Sequence, residues 1–181
     1  MKKALLLTAV MLLGASVAFG QAGYIGLFAD PAGTDCFLPD VMTGGLVPYY
    51  AVHMAATVTG SQWAAPKPAC YLSTYLNDTP VFPVTVGNSQ VGVSIGYGAC
   101  YSSPIHCLTL NVFPVGATQP CCQWDVGPDP NAGGIFAVDC AFVTIPASGA
   151  FGMVNGNTTD CPCSNPTEET TWGKVKSLYV E

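Results

Sequence analysis

Sulfur is the first constraint on this chain. Nine cysteines, Cys36, Cys70, Cys100, Cys107, Cys121, Cys122, Cys140, Cys161 and Cys163, all follow an N-terminal stretch that reads as an export signal. Lys2 and Lys3 give that stretch its positive start, Ala4 to Leu13 its short apolar run, and Ala18-Phe19-Gly20 the small residues a signal peptidase reads. The expected signal is residues 1–20, with cleavage before Gln21. A bilayer takes about 20 apolar residues to cross, so no transmembrane segment is expected in the mature chain. Exported thiols meet oxidising surroundings, which makes all nine cysteines disulfide candidates. An odd number leaves at most four bridges and one thiol over. Cys100 and Cys107 flank a Ser-Ser-Pro turn and are placed to close a small loop.

Charge narrows the choice further. Only 9% of the 181 residues are charged and 50% are hydrophobic, whereas a soluble domain is about one quarter charged. Such a chain has every reason to bury itself, which excludes disorder. Five lysines, no arginine and eleven acids give a net charge of −6, which excludes a basic nucleic-acid binder because phosphate neutralisation needs a cationic patch. The expected location is secreted, extracellular or at the cell surface, with the periplasm as the other oxidising compartment.

Short extended runs alternate with Gly, Pro, Asn and Asp turns. Strands are expected at Tyr24 to Ala29, Leu46 to Val58, Val84 to Val86, Gln90 to Tyr97, Pro104 to Phe113, Ile135 to Ile145 and Phe151 to Val154. In the second run Tyr50, Val52 and Met54 are expected inward, with Tyr49, Ala51 and His53 outward. Gly87-Asn88 is expected as a two-residue hairpin turn. The pattern predicts an all-β fold, an antiparallel β-sandwich of immunoglobulin-like or jelly-roll type over residues 21–163. Residues 164–181 are expected as an amphipathic tail helix, with Trp172, Val175, Leu178 and Tyr179 at spacings of three and four.

Gly92-Val93-Ser94-Ile95-Gly96 matches the G-x-S-x-G elbow of serine hydrolases. That elbow needs a sharp turn into a helix and a following acid and His. Here Tyr97-Gly98-Ala99-Cys100 follows, and His106 precedes every later Asp. Read as a strand, the segment sets Gly92, Ser94, Gly96 and Gly98 on one face, a flat strip that another backbone or ring can approach. Trp63 and Trp124, in Pro-bordered stretches expected to be loops or edges, are further candidate contacts by stacking, as is Trp172. The Cys121-Cys122 and Cys161-Pro162-Cys163 spacings do not suit a zinc site, which prefers two to four residues between paired thiolates. Asp125, Asp129, Asn131 and Asp139 lack the alternating spacing of a calcium loop and read as turn formers. His53 and His106 have no spaced partner. No metal, cofactor or catalytic residue is therefore expected.

Several segments, Gly92-Val-Ser-Ile-Gly-Tyr-Gly-Ala-Cys100, Ser103-Pro-Ile-His106, Val138-Asp139-Cys140, Asn155-Gly-Asn157, Cys161-Pro-Cys163 and Glu169-Thr-Thr-Trp-Gly-Lys-Val-Lys-Ser-Leu-Tyr179, resemble a group of small exported bacterial proteins of unassigned function. The resemblance implies a secreted bacterial protein with a β-sandwich and supplies no catalytic residues. Cys107 and the doubled Cys121-Cys122 depart from its pattern. The expected function is a secreted non-catalytic binding or assembly module that contacts a protein, a glycan or copies of itself. The alternatives are a secreted ester or glycoside hydrolase using Ser94 or paired acids, and a Cys-based metal-binding module.

Overall fold

The computed structural model describes residues 23–40, 44–55 and 57–163. The expected signal and tail helix, with Trp172, lie outside the described residues. Thirteen strands follow in order: β1 (Tyr24–Phe28), β2 (Phe37–Leu38), β3 (Val47–Met54), β4 (Val58–Trp63), β5 (Ser73–Pro80), β6 (Val84–Asn88), β7 (Gly92–Tyr101), β8 (Ile105–Pro114), β9 (Cys122–Asp125), β10 (Phe136–Asp139), β11 (Thr144–Pro146), β12 (Ser148–Gly149) and β13 (Phe151–Val154). They form two five-stranded sheets, β12-β1-β3-β8-β5 and β11-β10-β4-β7-β6, and a three-stranded sheet β2-β13-β9. The fold is all-β and sandwich-like. Two short pairings, β1 with β12 and β2 with β13, are parallel, and the other strand pairings are antiparallel as expected.

The core lies between the two larger sheets. Tyr49, Leu108 and Leu110 from one meet Trp63, Val93 and Ile95 from the other, and Trp124 of the small sheet enters the same cluster. Trp124 meets the Tyr49 ring edge-on at 5.7 Å and donates its indole N–H to the Ala65 carbonyl at 3.0 Å. A fully buried polar knot crosses the middle: the Tyr97 hydroxyl donates to Ser61 Oγ at 2.8 Å and meets His53 Nδ1 at 2.9 Å and Cys107 Sγ at 3.2 Å. Polar atoms removed from water need such partners.

Several expectations are corrected. In β3 it is Tyr49, Ala51 and His53 that face the main core. Alternation could not decide this, because the other face is apolar too: Val52 packs with Tyr24, Phe28, Cys36 and Ala150 in a second cluster outside the first sheet. The hairpin turn falls at residues 89–91, since Asn88 pairs with Gly92. Ile135 to Ile145 is not one strand but the hairpin β10–β11. The sequence reading overlooked β4 as a separate strand and missed β5.

Eight cysteines are bridged: Cys36–Cys163, Cys70–Cys122, Cys100–Cys140 and Cys121–Cys161. The small Cys100–Cys107 loop does not form; Cys107 is the remaining thiol. Burial, outweighing hydrogen bonds that lower it, pushes that thiol up to about 12, so it stays protonated and unreactive. No helix among the described residues is long and apolar enough to cross a membrane.

Candidate functional site

Side chains alternate across a strand, so the register of the second sheet sorts its residues into rows. Ala137, Ser61, Ile95 and Thr85 share the row that turns inward. The flanking rows, Phe136–Gln62–Ser94–Val86 and Val138–Gly60–Gly96–Val84, turn outward. Between them runs an open trough of about 590 Å³.

Gly60 and Gly96, direct cross-strand partners, form its floor. A Cβ on Gly60 would lie 2.8 Å from the Ile95 carbonyl oxygen, so that position stays bare for packing reasons. One wall is Val84 and Val86 of β6, 59% and 69% exposed. The other wall is Phe136 and Val138 of β10, extended by Phe142 from the turn beyond.

That turn is built on Asp139, whose Oδ1 accepts the backbone N–H groups of Ala141 and Val143, both at 2.8 Å. It holds Phe142 at φ 62° and 81% exposed. A bulky side chain in the left-handed region costs about 1–2 kcal/mol, and such strain clusters at functional positions. The Cys100–Cys140 bridge ties the turn to the far end of β7.

Among the described residues, no charged side chain lines the trough. Its polar atoms come chiefly from Gln62, Ser94, Thr59 and Thr144. Gln62 Nε2 donates to Asp129 Oδ2 at 2.8 Å. A carboxylate only accepts, so the amide nitrogen is held toward Asp129 and the carbonyl oxygen is turned away from it. The Gln62 amide, then the Asn131 backbone N–H, draw the Asp129 carboxyl below its ordinary range.

Of the residues singled out from sequence, Ser94, Gly96 and Gly98 line the trough. Gly92 does not belong to the contact strip. It is buried with φ 122°, and a Cβ there would lie 2.3 Å from Asp129 Oδ1, so its bareness seats a carboxylate. Trp63 and Trp124 are corrected as contacts: both are 0% exposed, end or lie within strands, and fill the core. Ser94 sits within β7, which runs on to Tyr101 with no turn into a helix after it, so the G-x-S-x-G elbow is not formed. His106 lies on β8 in the other sheet against Thr109. Asp125 accepts from Gln123 and Asp139 caps its turn, apart from Asp129, so the acids are not gathered. Sequence reasoning missed the walls, Val84, Val86, Phe136, Val138 and Phe142. Period-two spacing marks the first four, but nothing in the sequence says that their face looks outward.

No protein-family model matches the chain, and neither does any curated protein. Among solved structures it is similar to a cohesin module from a Clostridium perfringens family 33 glycoside hydrolase, with a TM-score of 0.50, 7% identity, and coverage of 76% of this chain and 99% of that one. At that identity the likeness speaks for the fold alone, an all-β sandwich.

Proposed function

We propose that the protein is a secreted, non-catalytic binding module whose trough receives a neutral, largely apolar surface of a partner protein. The observation that carries this reading is the trough itself: about 590 Å³ with walls of exposed Val and Phe and no lining charge among the described residues. Interface centres are depleted of charge and enriched in aromatics, and a contiguous exposed apolar patch marks a contact surface. Four disulfides support an oxidising compartment, and the export signal read from residues 1–20 agrees with it. Two five-stranded sheets are closer to the jelly-roll form than to the immunoglobulin one. The hydrolase alternative draws no support from Ser94, whose neighbours across the sheet are Gln62 and Val86 rather than a base.

A photo-crosslinking residue at Thr144, on the trough, tests the reading against one at Thr79 on the opposite sheet. The mature protein is expected to capture a saturable protein partner from the trough position only. Equal capture from both positions, or ester or glycoside hydrolysis lost in Ser94→Ala, overturns it. Capture of a glycan instead would reassign the partner class.

A further inference from the structure

The sheet edges of this molecule are not treated alike. Natural edge strands are guarded against pairing by shortness, bulges, proline or charge. β5 has a register shift between Tyr75 and Asn77, carries Asp78 and ends on Pro80. β11 is three residues long and ends on Pro146, and β12 is two residues long. β6 is the exception. It pairs with β7 in unbroken register through five residues. No charged residue occurs from Thr79 to Ser89, Pro83 precedes the strand without interrupting it, and Val84 and Val86 stand exposed. Among the described residues, no strand pairs with its outer side.

We propose that β6 is where two copies of this chain pair, edge to edge and antiparallel, to make one continuous ten-stranded sheet. The strand is complementary to itself. A two-fold axis at Thr85 sets Val84 of one copy beside Val86 of the other on the trough face, with Thr85 beside Thr85 behind. Apolar and β-branched cross-strand pairs of this kind are favourable. The occupant is a second copy because Val84-Thr85-Val86 reads the same in both directions about Thr85, and the uncharged stretch from Thr79 to Ser89 sets no like charges against each other where two acidic molecules meet. An axis at Thr85 pairs Val84 to Val86 of the two strands and sets Gly87 against Pro83, less than a standard interface buries, so the dimer is a weak one. The inference does not depend on the trough having a protein partner, since it concerns the backbone edge and not the face.

The test is sedimentation equilibrium of the disulfide-bonded mature protein up to about 500 µM, with hydrogen exchange at low and high concentration. Expected are a reversible monomer–dimer equilibrium, concentration-dependent protection of amides in β6, and weakening of at least about tenfold in Val86→Lys. Val84→Lys serves as a second variant should the first fold poorly. Thr109→Lys, on the outer face of the other sheet, is expected to leave the equilibrium unchanged. A monomer throughout, or a dimer whose β6 amides gain no protection, overturns the proposal. Phe142→Ser, on the far wall, is expected to weaken partner capture while leaving dimerisation intact, so the two readings fail separately.

Discussion

A methyl group on Gly92 would lie 2.3 Å from Asp129 Oδ1, and it is this close approach that the glycine serves. Asp129 is 3% exposed and accepts from the Gln62 amide and from Asn131, whose backbone N–H lies 2.8 Å away. Replacing it by Asn exchanges an acceptor-only group for one that offers a donor to a donor, at an expected cost of about 1–2 kcal/mol at neutral pH. Because the folded state holds this carboxyl below its ordinary range, its contribution is whole above the unfolded value near 4 and fades as pH falls through the folded one. The stability gap between wild type and Asp129→Asn is therefore expected to hold at neutral pH and to narrow as pH falls below about 4 in denaturant titrations. A gap that widens on acidification would show that the network is not held by the charged form. The sequence made the alternation of this segment plain, and Ser94, Gly96 and Gly98 line the trough. It gave no sign that Gly92 serves Asp129, because that contact joins residues far apart in the chain.

At the scale of elements, the trough exists because the glycines of β4 and β7 meet and the residues on either side of them do not shrink to match. Phe142 shows the local cost. Its left-handed backbone conformation, φ 62°, suits Asn or Gly better than an aromatic ring. Phe142→Asn is expected to raise stability by about 0.5–1 kcal/mol in thermal melts while weakening partner capture, the trade found where function retains strain. A fall in stability would mean that the ring packs more than its exposure suggests. The strands most visible in the sequence were β7 and β8, through their alternation, and β13, through the Gly149 turn before it. β3 was visible but was assigned the wrong phase because both its faces are covered. β5 carries Asn77, Asp78 and Pro80, residues that signal turns, and its exposed pattern hid it. Trp63 and Trp124 were misplaced for a related reason: the prolines near them mark the turns outside the strands and say nothing of where the rings go.

For the whole molecule, the bridges bind the periphery to the sandwich. Cys36–Cys163 spans 127 residues, the longest separation of the four, and closes over the second apolar cluster. Removing it as the double variant Cys36→Ala/Cys163→Ala is expected to cost about 2–5 kcal/mol, read as a lower denaturation midpoint. An unchanged midpoint would show that the reduced chain is already held by its core. Oxidation of the cysteines was legible from their number and from the expected export signal, and the all-β body from short extended runs between turn residues. Which cysteines pair was not, because pairing is set by how the strands bring distant residues together. On the reading proposed above, the outer face of the second sheet binds through its lack of charge. Its most direct test is the affinity of the trough-captured partner for Val138→Asp compared with Thr79→Asp, measured by calorimetry. A loss of at least about tenfold for the first and none for the second is the predicted result; equal affinities for both variants would contradict it.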